Sequence, residues 1–305
     1  MGSSGENEKV EVFNTHRPRL FGVAYRMLGT RDDAEDILQE TYLRLHSADL
    51  AEIENPEAWL VTAATRLSID RLRKAYAQRE TYIGPWLPEP LVLDNAASPE
   101  IKAEIASDVS LAFLVMLERL SPIERAIFLL HDVFDFAHSE VARIVTKSET
   151  AVRQIVSRAR ARVRADQPRF EADEKAQAEL IRKFVTASYA RDEKTLMSIF
   201  AEDITLTSDG GGKVHAARRV VTGSERVLRI YTIAISKYPF PVETFLTTIN
   251  GELGVVEVAA GEVVSASTFT IENGRVVAIY RVMNPDKLSG IELGDQINLI
   301  ALSQN

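Results

Sequence analysis

The side chains best placed to do chemistry fall into three groups. From Ser139 to Arg164, Arg143, Lys147, Arg153, Arg158, Arg160, Arg162 and Arg164 stand against only Glu140 and Glu149. That local positive excess suits phosphate. Thr150, Arg153, Gln154 and Ser157 lie inside it at one helical start, and Arg and Gln are the natural bidentate readers of guanine and adenine edges. The basic group has a second cluster, Arg66, Arg71, Arg73, Lys74 and Arg79, interleaved with Tyr76 and Tyr82, aromatic rings able to stack on unpaired bases. Opposite in sign, Asp32, Asp33, Glu35, Asp36, Gln39 and Glu40 crowd a single helix face. Such a face serves either as a solvated surface or as a dock for a basic partner. The third group is Asp209-Gly210-Gly211-Gly212-Lys213. It is no phosphate loop, because the spacing is wrong and Val214 stands where Ser or Thr would hold magnesium. Its glycines either make a turn or let the backbone approach another surface, with Asp209 and Lys213 supplying charge at the edges.

Recognisable elements position these groups. Thr30 caps a helix whose stripe Ala34, Ile37, Leu38, Thr41 and Leu45 faces a core, leaving the acids outside. Asn55 and Pro56 open a second helix with Trp59, Leu60, Ala63 and Leu67 as its buried stripe and the basic group in its later turns. Ser121-Pro122-Ile123-Glu124 fulfils the capping-box pattern. A turn at Phe134 to Phe136, a short helix over Ser139 to Val145, the connection Thr146-Lys147-Ser148 and a helix over Glu149 to Arg164 then make a helix-turn-helix. Its second helix enters a major groove by its N-terminal part, while Lys147 and Arg158 to Arg164 meet phosphate.

Between these modules, Gly84-Pro85-Trp86-Leu87-Pro88-Glu89-Pro90 cannot be helical. Trp86 and Leu87 either dock on a folded surface or pack locally on a stiff spacer. After Asp173 come helices at Ala178 to Tyr189 and Lys194 to Phe200, a strand at Ile204 to Thr207, a helix at Ser224 to Lys237, and a set of strands. Among those strands, Val263 to Ile271 and Arg275 to Val282 flank the hairpin turn Asn273-Gly274. Helices followed by antiparallel strands make an α+β fold.

At 305 residues the chain holds two or three domains, with a 46% hydrophobic and 26% charged composition. The net charge of −8 leaves any nucleic-acid contact to local patches. Without cysteine there are no disulfides, thiolate zinc sites or thiol sensors. No metal site or cofactor is expected. The absence of a long apolar run and of a basic-apolar leader leads us to expect a cytoplasmic protein with no membrane partner. Met1 to Gly5 is set aside as a tag remnant or frayed end.

The stretches Asp33-Ala34-Glu35-Asp36-Ile37-Leu38-Gln39-Glu40-Thr41-Tyr42, Trp59-Leu60 and Ile69-Asp70-Arg71-Leu72-Arg73 resemble region 2 of bacterial sigma factors. Leu120 to Arg125, Glu140-Val141-Ala142, Ser148 to Arg153 and Ser157 to Arg160 resemble region 4. The third module resembles the SnoaL-like, NTF2-like cone. Trp86-Leu87-Pro88-Glu89-Pro90, Asp209 to Lys213 and Asn284-Pro285-Asp286-Lys287-Leu288 are similar to the three hallmark segments of the extracytoplasmic-function (ECF) group known as ECF41.

The resemblance implies a multidomain protein: two all-α sigma domains (a region 2 helical bundle and a region 4 helix-turn-helix) plus an α+β SnoaL/NTF2-like cone. Residues 8–83 would form region 2, 84–107 the linker, 108–168 region 4, 172–290 the regulatory domain and 291–305 a tail. The expected partners are core RNA polymerase, double-stranded and locally melted promoter DNA, and a small molecule in the cone. By resemblance, Asp33, Glu35, Asp36, Gln39 and Glu40 bind polymerase, and Trp59, Arg66, Asp70, Arg71, Arg73 and Lys74 handle the −10 element. Arg66 stands where many members carry Asn, so the base preference at −10 does not carry over. Lys147, Ser148, Thr150, Arg153, Gln154, Ser157 and Arg158 would read the −35 element. The three hallmark segments would regulate in cis in place of a separate anti-sigma factor, with Trp86 as the partner of the glycines. No catalysis is expected; the enzymatic alternative would pair Asp209 with His215 and bind an anion through Arg218, Arg219 or Arg281.

Overall fold

Helix ends in the first half of the chain are fixed by local chemistry. The computed structural model describes residues 2–92, 109–164, 174–235, 242–292 and 297–298. Helix α1 (Gly2–Leu28) takes in the opening residues set aside above. It stops where Gly29 turns left-handed at φ 78°. In α2 (Arg31–Ser47) the buried stripe is the expected one, Ala34, Ile37, Leu38, Thr41 and Leu45. Thr30 sits at the cap position, but its hydroxyl donates to Asp33 (2.7 Å) instead of accepting from the backbone. Asn55 does cap α3 (Pro56–Arg79), accepting from the Ala58 amide at 3.0 Å.

Next come α4 (Leu111–Leu117) and α5 (Pro122–Phe128), whose capping box forms in both directions. The helix widens into a π-type turn at Leu129–Val133 before the turn expected at Phe134. Helix α6 (His138–Val145) ends at Thr146, left-handed at φ 55°, and α7 (Glu149–Arg164) follows with Ser148 accepting from the Ala151 amide.

The chain divides into two compact units, Met1–Thr81, Ser98–Val109 and Phe113–Gln167 forming one, and Tyr82–Ala97, Ser110–Ala112 and Pro168–Asn305 the other. The first unit is all helical, with α1, α2 and α3 packed as a bundle and α5 and α6 resting on α3. Arg125, 1% exposed, joins the two helical sets. Its guanidinium donates to the carbonyls of Leu117 (3.0 Å) and Met27 (2.8 Å), to the Tyr76 hydroxyl (3.2 Å) and to Glu118 (2.6 Å). Tyr76 in turn donates to the Leu120 carbonyl, and burial pushes its phenol above the ordinary value. Tyr76 is therefore a structural residue here and not a stacking platform.

The second unit carries α8 (Glu174–Ala190), α9 (Glu193–Ile199), β1 (Phe200–Asp209), β2 (Val221–Thr222), α10 (Ser224–Ile235), β3 (Val242–Ile249), β4 (Glu252–Ala259), β5 (Glu262–Glu272), β6 (Arg275–Val282) and β7 (Ile297–Asn298). The expected end of α10 at Lys237 lies outside the described residues, as do linker residues 93–107 and most of the tail. The sheet order is β2-β1-β6-β5-β4-β3-β7, antiparallel except where β1 runs parallel to β6. Asn273 and Gly274 (φ 50° and 71°) make the expected tight turn between β5 and β6. Phe184 of α8 packs edge-on against Tyr231 of α10 (5.0 Å) and Phe269 of β5 (5.1 Å) at the core of this α+β cone. Among the described residues no helix is long and apolar enough to cross a membrane.

Replacing Arg125 with Ala strips a donor from the buried Leu117 and Met27 carbonyls and from Glu118. We expect a loss of about 3 kcal/mol of stability in the first unit, read by urea unfolding followed through its helical signal.

Candidate functional site: a clasped linker and an exposed basic helix

Because β1 and β6 run parallel, their C-terminal ends lie side by side, with Asp209 opposite Val282. The loop after β1 begins with the three glycines and the turn after β6 is Asn284 to Leu288, so topology alone brings two segments far apart in sequence to one edge. The Met283 amide donates to the Asp209 carbonyl at 2.7 Å and fixes that register. Asn284 accepts from the Asp286 amide, capping the short 3-10 turn Pro285–Lys287 that aims Lys287 inward.

Asp209 is completely buried, and every direction around its carboxylate is answered. One oxygen accepts from the Tyr82 hydroxyl (2.5 Å) and the Gly211 amide (3.0 Å). The other accepts from the Leu87 amide (2.9 Å) and the Lys287 ammonium (2.7 Å). Lys287 also donates to the Leu87 carbonyl (2.5 Å) and sits 4.2 Å from the Trp86 ring centroid and 5.3 Å from that of Tyr82. An ammonium withdrawn from water is thus compensated by a carboxylate, a carbonyl and two aromatic faces. Burial first, then donation to Asp209, drives the Tyr82 phenol upward from its ordinary value.

Leu87, Pro88, Pro90 and Leu91 are buried, Trp86 and Glu89 partly so. The far end is pinned by a reciprocal pair: Leu91 donates to the Asn250 side chain and the Asn250 amide to the Leu91 carbonyl, both at 2.9 Å. The segment is therefore docked and not a bare spacer. The glycines have partners other than Trp86. A β-carbon at Gly211 would lie 2.5 Å from Asn284, and Gly211 and Gly212 are both left-handed, at φ 60° and 73°, so a side chain at either is disfavoured. Lys213 reaches the exposed Asp286 at 2.6 Å.

The enzymatic alternative does not assemble. Asp209 is filled by its structural partners, whereas His215, Arg218 and Arg219 are exposed. Arg281 is buried in an ion pair with Glu257 at 2.5 Å. That pair lines an interior cavity of about 20 Å³ together with Phe184, Ser188, Tyr231 and Phe269.

In the first unit, α7 buries Val152, Ile155, Val156, Ala159 and Val163 and leaves Arg153, Gln154, Ser157 and Arg158 exposed, with Lys147, Ser148 and Thr150 just ahead of them. All seven expected −35 residues therefore share the solvent side, and Arg153 is steadied by Glu149 at 2.5 Å.

The region 2 residues are more engaged than expected. Arg71 bonds Asp33 and Asp36, each at 3.0 Å, tying the basic helix to the acidic one. Arg73 pairs with Asp70 at 2.9 Å, and Glu35 with Arg17 at 2.6 Å. Gln39, Glu40 and Lys74 are exposed, and Trp59 is partly buried. Arg66 donates to the Ile144 carbonyl (2.9 Å) and the Arg143 carbonyl (3.3 Å) at the end of α6. Tyr82, read from sequence as a base-stacking ring, belongs instead to the Asp209 cluster. Asn250 carried no sequence signal, and Arg125 was singled out only as part of the region 4 resemblance.

The sequence of the first unit matches two family models, Sigma-70 region 2 over residues 12–78 and Sigma-70, region 4 over residues 110–163. These define the class: a sigma factor of bacterial RNA polymerase. The ECF RNA polymerase sigma factor SigJ of Mycobacterium tuberculosis is 38% identical over 299 residues, covering 94% of this chain and 96% of its own. The probable ECF sigma factor SigI of the same species is 26% identical over 289 residues, covering 93% and 96%. The crystal structure of SigJ superposes with a TM-score of 0.75 at 36% identity, over 93% of this chain and 100% of that one. The chain belongs to the ECF RNA polymerase sigma factors.

Substituting Lys287 with Met leaves a buried carboxylate without its counter-ion and removes the donor to the Leu87 carbonyl. The expected cost is about 3 kcal/mol in the second unit, measured by chemical denaturation, with Trp86 fluorescence reporting release of the segment.

Glu252, beside the Asn250 clasp, has its carboxyl raised by burial to about 7. A carboxyl raised on folding favours the protonated form. Its contribution is therefore complete below the unfolded value near 4.5 and is lost as pH climbs through 7. Stability of the second unit should fall over that interval, and Glu252→Gln should flatten the profile.

Proposed function

We propose that this ECF sigma factor recruits core polymerase through the acidic face of α2, engages the −10 element with α3 and reads the −35 element with α7. We propose further that the clasped linker makes its second unit a regulator in cis, with no catalytic role. The observation that carries the promoter reading is the sorting of α7. Its apolar side chains are buried while Thr150, Arg153, Gln154, Ser157 and Arg158 stand together in solvent. An α-helix with that face fits a major groove, where Arg and Gln discriminate bases and the flanking arginines hold phosphate.

Regulation in cis is supported by where the hallmark segments meet. Beyond Arg79, the last residue of α3, the chain is held at Leu87 by Asp209 and Lys287 and at Leu91 by Asn250, so the regulator grips the covalent path between regions 2 and 4. Within the first unit, Arg66 is occupied by carbonyls of α6 and Arg125 is locked among α3, α4 and α5. We read this packing as a closed state, since a chain that spans two promoter elements has to free Arg66 first. ECF41 membership and the division of roles among the α2 and α3 residues belong to the same proposal.

Promoter-directed run-off transcription with core polymerase tests both parts. Arg153→Ala with Gln154→Ala should lower specific initiation at least tenfold while leaving polymerase binding intact, given about 1–3 kcal/mol for each bidentate base contact. Lys287→Met should change initiation with the same promoter preference. Unaltered transcription from the α7 variant would remove the −35 assignment, and unaltered transcription from Lys287→Met would remove the regulatory one.

A further inference from the structure

The loop that follows Asp209 does more than close the clasp. Residues 210–220 have no regular strand or helix and, with Ile83 and Gly84, line an open groove of about 250 Å³. Its walls are small, with Gly84, Gly210, Gly212, Ala216 and Ala217 letting main chain form much of the surface. The groove is also pre-shaped. A β-carbon at Gly210 would come within 2.7 Å of Ala216, and one at Gly212 within 2.8 Å of Ile83, so the loop is folded tightly on its neighbours.

Charge along its rim runs against the sign of the whole chain. From Lys213 to Arg219 there are Lys213, His215, Arg218 and Arg219 and no acid, in a protein of net charge −8. Lys213 is taken by Asp286. Arg218 and Arg219 are exposed and join no hydrogen bond or ion pair among the described residues. Exposed aliphatic groups accompany them, Ile83 at 55%, Val214 at 37% and Val220 at 53%.

Uncommitted guanidinium groups beside apolar surface and close-approach backbone match a sugar–phosphate chain, whose phosphates are anionic and whose sugars are largely apolar. A small anion would instead need enclosure, since ligand sites bury most of their guest, whereas both guanidinium-bearing residues here are exposed.

We propose that this groove, with the loop that carries it, is a third nucleic-acid contact, binding the sugar–phosphate backbone of promoter DNA through Arg218, which lines the groove, and the adjacent exposed Arg219. It would add affinity without sequence preference, because phosphate contacts position and do not specify. The proposal rests on the promoter-binding reading above and extends it to the regulatory unit.

The test uses full-length chain bound to core polymerase and a promoter fragment, titrated across a series of salt concentrations. Arg218→Ala with Arg219→Ala should make the plot of log affinity against log salt shallower by about 2, since each phosphate contact contributes roughly 0.9. The ranking of promoter sequences should stay fixed, and Arg218→Lys with Arg219→Lys should keep the slope. Both side chains are exposed, so folding is expected to be untouched. An unchanged slope in the alanine variant, with the wild-type promoter complex intact, overturns this proposal alone. Weakened core-polymerase binding with an unchanged DNA slope also overturns it, assigning the groove to an acidic protein surface. A wild-type chain that forms no promoter complex would overturn the sigma reading and this proposal together.

Discussion

A single buried ion pair, Asp209 with Lys287, sets the organisation of the second unit. Neither charge has access to water, and each is stabilised only by what the chain brings to it. Burying a carboxylate and an ammonium is costly, so the pair persists only with full hydrogen bonding around it. That requirement is met by three separate stretches: Tyr82 and Leu87 from the linker, Gly211 from the β1 loop, and Lys287 from the turn after β6. Removing any one leaves a charge or a polar group exposed to an apolar interior. The linker is thus held by electrostatic necessity, with apolar contacts of Leu87, Pro88 and Leu91 adding to it.

In the first unit the described charges of α7 stay in solvent instead. The seven side chains assigned to the −35 element are all exposed, while the same helix buries an unbroken apolar stripe. Two arginines, the buried Arg125 and the exposed Arg66, instead tie helices together. Arg125 gathers carbonyls from two helices, and Arg66 finishes the end of α6. Each thereby ties carbonyls of other helices to its own.

Much of this was legible in the residues. Ser121-Pro122-Ile123-Glu124 encodes a helix start that the structure places at Pro122, and Asn273-Gly274 encodes a turn found with both residues left-handed. The helix-turn-helix was readable because cap, turn and charge are local signals. What stayed hidden was long-range. Tyr82 lies three residues beyond a basic helix and reads as part of it until Asp209, 127 residues away, is seen to accept a hydrogen bond from its hydroxyl. Arg125 directly follows the capping box, and only the arrival of α1, α3 and α4 supplies its guanidinium with partners. Thr30 carried the right residue type for a cap, yet the nearby Asp33 competes for its hydroxyl and wins. Sequence patterns report a residue's neighbours along the chain, whereas these assignments depend on which other element arrives.

The account stands on the claim that residues 82–91 are an integral part of the second unit's fold. Amide hydrogen exchange on the free chain tests it most directly, because the Leu87 and Leu91 amides donate to the buried Asp209 and Asn250 side chains. Protection of both amides to the level of the central strands β1 and β6 is the expected result. Exchange of Leu87 at the rate of an unstructured peptide, while β1 and β6 stay protected, would contradict it.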